Sequence, residues 1–127
     1  DAPLRRNAQP FGVDPCGVLF YDGNGNFSVQ LARSERPEFA SGDIRDGTDD
    51  EIRAAYMGYI AYFGVYEVNE ADSYVTHKVD VSLFPNWQGV PQRRFFALSE
   101  DRLRLTTLPT PFGGRDVTAV LVWERVS

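Results

Sequence analysis

The chain contains one histidine, His77, and histidine is the residue type best suited to move a proton near neutral pH. It lies between Val75 and Val79 on the apolar face of a strongly alternating segment, so its ring is expected to point inward. Three roles stay open: a buried imidazole bonded to backbone or hydroxyl groups, a contact that orients a ligand, and a proton shuttle. His77 is therefore the one candidate catalytic residue, and only if the protein is an enzyme.

Further candidates for ligand contact are residues whose side chains have a polar end group on an apolar portion. Arg33 follows an alternating segment and could clamp an anion or a carbonyl, or it could extend to water as a strand-end arginine. Tyr56 and the tyrosines after it could cap a barrel mouth or pack a helix on a sheet, and Trp87 could form a pocket wall or anchor its loop. The candidate ligand-binding set is Phe27, Arg33, Tyr59, Tyr62, Tyr66, His77, Val79 and Trp87.

The spacing of the other polar residues does not match known metal or cofactor motifs. One histidine and one distant cysteine, Cys16, are too few for a zinc site. The run from Asp22 to Asn26 resembles the start of a calcium loop, but Phe27 replaces the required glycine and Arg33 the terminal glutamate. We therefore expect no metal and no cofactor.

The amino-acid composition argues against some classes of function and favours others. The net charge of −5 argues against a nucleic-acid partner and against docking on an anionic membrane. Aromatic residues make up 13% of the chain, a high share suited to an apolar pocket. No signal peptide or apolar span of about 20 residues is visible, so we expect a cytoplasmic location. A chain of 127 residues fits one domain.

Seven strands and one helix are predicted around these candidates. An Asp-Gly-Asn-Gly turn at 22–25 joins strands at 16–21 and 27–33 in a hairpin. A capping box at Thr48 and Glu51 begins a helix whose apolar stripe runs from Ile52 to Phe63. Strands follow at 62–68, 74–83, 93–99, 102–107 and 117–126, with a loop at 108–114. Residues 1–15 are predicted to be an extended lead-in.

Several segments of the chain together carry a family resemblance: Phe39-Ala40-Ser41-Gly42-Asp43, Gly58-Tyr59-Ile60-Ala61-Tyr62 with Gly64, Tyr66-Glu67-Val68, Val75-Thr76-His77, Val81-Ser82-Leu83-Phe84-Pro85-Asn86-Trp87 and Val122-Trp123-Glu124-Arg125. They resemble a bacterial and fungal family of lipocalin-like domain proteins. The resemblance implies an eight-stranded, antiparallel up-and-down barrel with a central cavity, here capped at one end by the short helix. A Gly-x-Trp motif that usually opens the first strand is absent, so we expect the opening strand to be missing. Its loss would leave an edge through which a homodimer could form.

Two functions follow from these expectations. The first is binding of a small hydrophobic or aromatic metabolite in the barrel cavity, by apolar burial with His77 and Arg33 setting its orientation. The alternative is an isomerase or cyclase that acts on a small natural-product-like substrate in the same cavity, with His77 as the proton shuttle. A structural role with a filled core is a third hypothesis.

Overall fold

Eight antiparallel strands form a closed barrel in the described part of the chain. The structure is a computed structural model that describes residues 4–7 and 15–126. Each barrel strand pairs with its neighbour in sequence, except that a small hairpin is inserted before the last strand. The antiparallel up-and-down barrel that the family resemblance implies is thus confirmed. No helix in the described ranges is long and apolar enough to cross a membrane.

The elements have the following bounds. The barrel strands are β1 (Leu4–Asn7), β2 (Cys16–Tyr21), β3 (Asn26–Ala32), β4 (Tyr59–Asn69), β5 (Tyr74–Ser82), β6 (Pro91–Ser99), β7 (Arg102–Thr107) and β10 (Val120–Arg125). The inserted hairpin consists of β8 (Thr110–Phe112) and β9 (Arg115–Val117). Helix α1 (Asp49–Met57) precedes β4, and a 3₁₀ turn (Pro85–Trp87) follows β5.

The first hairpin forms where the turn sequence predicts it. Gly25 adopts a positive φ of 88°, and the Asp22 carboxylate accepts hydrogen bonds from the backbone N–H groups of Asn24 and Asn26. A hydrogen bond from the Asn26 side chain, together with these backbone bonds, holds the pKa of the Asp22 carboxyl below its usual value. The turn therefore fixes the pairing of β2 with β3 through local polar groups.

Helix α1 begins as predicted but ends earlier. Thr48 and Glu51 form the reciprocal capping box, in which each side chain accepts a hydrogen bond from the other residue's backbone N–H. The helix stops at Met57, Gly58 caps it, and β4 starts at Tyr59. The predicted stripe up to Phe63 was therefore wrong, because its second half follows the two-residue period of a strand. No residue of α1 is buried.

A β-bulge between β4 and β5 changes which side chains of β5 face inward. The register shifts between Phe63 and Gly64, so Ser82 is 7% exposed whereas Val81 is 48% exposed. Continuous alternation from Val75 to Leu83 was thus the wrong expectation. A Cβ on Gly64 would clash with the Lys78 carbonyl oxygen and lie 2.9 Å from the Asp80 nitrogen. Glycine permits this close approach of the two backbones.

The segment predicted to be a loop at 108–114 contributes to the β8–β9 hairpin. Gly113 and Gly114 both have positive φ, 65° and 88°, which is the conformation of a two-residue hairpin turn. In the chain, this hairpin lies between the end of β7 and the start of β10. In space, it lies at the same end of the barrel as α1. The last barrel strand consequently starts at Val120, three residues later than predicted.

The opening strand, expected to be missing, is present as β1. It pairs with β10 over four residues and with β2 over two, and it closes the barrel. Its sequence, Leu-Arg-Arg-Asn, is short and lacks the apolar alternation that marks a strand, which is why the sequence pattern assigned this segment to the lead-in. The barrel edge on which the expected homodimer depended is therefore occupied by β1.

The barrel interior is packed at the end opposite α1 and less filled toward α1. One apolar cluster contains the fully buried Leu19 and Trp123, and its buried side chains come from six strands. Its buried members are Leu19, Phe27, Val29, Tyr62, Val75, Val79, Leu103, Leu105 and Trp123.

Candidate functional site

An inner cavity of about 80 Å³ lies inside the barrel, on the side of the β8–β9 hairpin. Inward side chains of β3, β4, β7 and β10 form its walls, and the hairpin contributes Thr110, Phe112 and Val117. Most of the surface is apolar, and among the described residues that line it Arg94 alone carries a charge. An apolar wall with few polar groups is the usual character of a small-molecule site.

An outer cavity of about 360 Å³ lies between α1, the 3₁₀ turn and the hairpin. It shares three lining residues with the inner cavity, Ile60, Trp87 and Phe112, so these side chains alone form the common wall. Its volume falls in the range of about 300–1,000 Å³ that is usual for ligand pockets. The two cavities are therefore adjacent, on opposite sides of these three side chains.

Trp87 is held at the common wall by edge-to-face contacts with two other rings. Its ring centroid lies 5.4 Å from that of Tyr62 and 5.5 Å from that of Phe84, each at an interplanar angle of 83°. The 3₁₀ turn fixes its backbone, because Pro85 starts the turn and Trp87 N–H donates to the Phe84 carbonyl. Trp87 therefore lines both cavities, and its ring contacts also hold the turn in place.

Arg94 is a charged residue that lines the inner cavity and has little solvent around it. The residue is 8% exposed and points inward from β6. Its Nη2 donates to Oε1 of Gln92 at 2.7 Å, and its Nη1 donates to the Arg93 carbonyl at 3.2 Å. Both acceptors are neutral, and the ion pairs of the described residues lie elsewhere, on the surface, between Lys78 and Glu67 and between Arg102 and Glu124.

His77 is fully buried and lies deeper in the barrel than the cavities. Its Nε2 is 2.6 Å from the Tyr21 hydroxyl, and its ring stacks on Phe27 at 4.2 Å between centroids. Burial, with a smaller effect of the Arg94 charge, lowers the pKa of His77 to about 3. Burial also raises the pKa of Tyr21 above its usual value. Both side chains are neutral at pH 7, so the hydroxyl can donate to Nε2 with the ring proton on Nδ1.

The structure divides the predicted ligand-binding residues into three groups. Tyr62 and Trp87 line the inner cavity, and Arg33, Tyr59 and again Trp87 line the outer one. The others, Phe27, Tyr66, His77 and Val79, line neither cavity: three belong to the packed interior, and the Tyr66 hydroxyl donates to the Asp22 carbonyl at 2.6 Å. Arg33 lies just beyond the end of β3 and is exposed.

Sequence reasoning missed several cavity residues. Arg94 and Phe112 are the most important of these, together with Thr107, whose hydroxyl accepts a hydrogen bond from the Ala119 backbone N–H. The alternation Gln92, Arg94, Phe96 would have placed Arg94 on one face of β6 with Phe96, but Arg93 and Phe95 give the opposite face the same character. The described residues contain no group of three or more His, Cys, Asp or Glu side chains that could hold a metal ion.

Comparison with known proteins gives one family and one curated relative. The model of a lipocalin-like domain matches residues 3–126. A 4'-hydroxy-3'-methoxypropiophenone carrier protein of Aspergillus oryzae is 31% identical over 106 residues, which cover 78% of this chain and 96% of the relative. No solved structure matches the chain.

Proposed function

The chain belongs to the lipocalin-like domain family, and we propose that it binds a small, mainly apolar aromatic molecule in the inner and outer cavities. The observation that carries this proposal is the pair of cavities with a common wall of Ile60, Trp87 and Phe112. An apolar molecule gains about 25 cal/mol for each Å² of its apolar surface removed from water, so such walls favour it. The relative's name, which describes a carrier of an aryl ketone, supports the same class of ligand.

The aromatic rings at the common wall favour a flat ligand. Tyr62 and Trp87 meet edge to face, and Phe112 lies on the hairpin side of the same wall. A ligand ring can contact these side chains in offset or edge-to-face geometry, which adds about 0.5–1.5 kcal/mol for each aromatic pair beyond its buried area. The inner cavity is small, so we expect its occupant to be a single ring or a short chain, with the rest of the molecule in the outer cavity.

Binding can be tested by isothermal titration of the protein with 4'-hydroxy-3'-methoxypropiophenone. We expect saturable binding that weakens at least tenfold in Ala119→Phe, because the added ring would fill the inner cavity that Ala119 lines. The matched control is Val120→Phe, which adds the same ring at the next residue, on the exposed side of β10. It should bind like the wild type, and thermal melts should show that both variants fold.

Two results would count against the proposal. If the wild type shows no saturable heat, aryl ketones are excluded as its ligands. If Ala119→Phe and Val120→Phe bind with equal affinity, the binding site is not the inner cavity. The isomerase or cyclase hypothesis gains no support from the geometry, since its proton shuttle, His77, lines neither cavity and bonds to Tyr21.

A further inference from the structure

We propose that the ligand carries an anionic oxygen, such as a carboxylate or a phenolate, and that Arg94 binds this group at the inner cavity. This inference rests on the proposed function and adds the chemical class of the ligand and the residue that recognises it. It starts from a feature of the barrel that packing does not explain: a buried cation whose protein partners are all neutral.

A guanidinium stays charged at every physiological pH, so Arg94 cannot escape burial by losing its proton. A buried charge destabilises the folded state unless an opposite charge or a full set of hydrogen bonds compensates it. The two acceptors of Arg94 are the Gln92 side chain and the Arg93 carbonyl. These occupy two of the five N–H groups that an arginine side chain offers. Among the described residues, the remaining donors have no protein acceptor and no carboxylate forms an ion pair with the guanidinium.

The position of Arg94 fits a role in binding better than a role in packing. Its side chain lines the inner cavity, whose other walls include Val29, Leu31 and Leu121. Because water is largely excluded there, attraction between the guanidinium and an anion is much stronger than on the surface. Arginine also binds a carboxylate through two parallel hydrogen bonds, which would fix the orientation of an otherwise apolar molecule.

In the part of the chain that the structure describes, no carboxylate pairs with Arg94. The titratable side chains whose pKa values respond to it are His77 and Tyr21, and both are neutral at pH 7. Neither carries a negative charge that could pair with the guanidinium. Thr107, which pairs with Arg94 on the neighbouring strand, also lines the cavity, and its hydroxyl accepts from the Ala119 backbone N–H and retains a proton that it can donate.

The test compares two probes of nearly equal shape, 4-propylbenzoate and 4-propylbenzamide, by isothermal titration at pH 7. The wild type is expected to bind the benzoate about ten- to a hundred-fold more tightly, the usual value of a hydrogen bond to a charged group. Arg94→Met, which keeps the length and removes the charge, should bind both probes with equal affinity and should retain the benzamide affinity of the wild type.

Arg93→Met is the matched control. Arg93 precedes Arg94 on β6, faces outward and places its guanidinium 4.0 Å from the centroid of the Tyr74 ring. This variant loses the same charge from the protein, and its preference for the benzoate should be unchanged. A thermal melt gives a second readout: removing an uncompensated buried charge should leave the melting temperature of Arg94→Met equal to or above that of the wild type.

Each result decides between the two proposals. If the wild type binds both probes equally, the Arg94 inference fails and the proposed function stands. If it binds neither, the proposed function fails with it. If the preference for benzoate also disappears in Arg93→Met, the effect comes from surface charge and the inference is overturned. If the melting temperature falls strongly in Arg94→Met alone, the residue acts in packing and the inference is overturned as well. The probe comparison in the wild type needs no variant, so it decides even if Arg94→Met does not fold.

Discussion

At the scale of single residues, the barrel interior maintains His77 as a neutral side chain. Its pKa falls from 6.5 to about 3, first because burial penalises the imidazolium and second because of the Arg94 charge. In the unfolded chain the imidazole titrates near its ordinary value. Between pH 6.5 and about 3 the unfolded state therefore binds more protons than the folded state, and His77 removes stability as the pH falls through this window.

A pH series of urea unfolding tests this effect. Below pH 6 the free energy of unfolding should fall with decreasing pH by up to about 1.4 kcal/mol per unit more in the wild type than in His77→Gln, because glutamine does not titrate. The acidic residues contribute equally to both proteins, so the difference between the two slopes isolates His77. Parallel curves from pH 6 to pH 4 would show that the imidazole is protonated in the folded barrel.

At the scale of elements, the bulge between β4 and β5 decides which side chains face the cavity and depends on a glycine. Gly64→Ala should destabilise the fold by more than about 2 kcal/mol, because its Cβ would collide with the Lys78 carbonyl and both strands would have to move. Gly42→Ala is the control: apart from its chain neighbours, no heavy atom of the described residues lies within 4 Å of an added Cβ, and the change should alter stability little or increase it slightly. Chemical denaturation of both variants measures the difference, and equal stabilities would contradict the close approach at the bulge.

Elements with a strong local signal were predictable, and those set by tertiary contacts were not. The Asp22 turn and the Thr48–Glu51 capping box are held by their own side chains, so sequence and structure agree. The end of α1 is different: Tyr59 and Ile60 suit either a helix stripe or a strand, and pairing with β3 decides for the strand. The bulge at Gly64 likewise depends on the partner strand, so Ser82 could not be recognised as inward-facing.

The residues of the candidate site also divide into those that the sequence could predict and those that it could not. Tyr62 and Trp87 were recognised because aromatic residues in an alternating or proline-bounded segment commonly form pocket walls, and both line the inner cavity. Whether a residue borders a cavity or the packed core depends on how far the interior is filled. Phe27 and His77 alternate as regularly as Val29, yet they stack on each other below the cavity. Sequence periodicity gives the inward face of a strand but not the depth of each residue along the barrel.

At the scale of the whole molecule, the short strand β1 determines whether the barrel has edges. Its four residues pair with β10 on one side, and Leu4 and Arg5 pair with Leu19 and Val18 in the middle of β2 on the other. A variant that lacks residues 1–7 would expose the backbone N–H and C=O groups of β2 and β10, and such unpaired edges bind further strands. We expect this variant to be less stable than the full chain and to self-associate as its concentration rises.

Analytical ultracentrifugation over a hundredfold concentration range, with urea unfolding in parallel, measures both consequences. The control is a full-length chain in which residues 4–7 carry alanine, because alanine retains the backbone donors and acceptors with which β1 pairs. If closure depends on backbone pairing, this control should self-associate less than the deletion variant at every concentration. A deletion variant with the sedimentation and stability of the full chain would show that β10 and β2 do not need β1 between them. The barrel would then have to close by direct contact of those two strands.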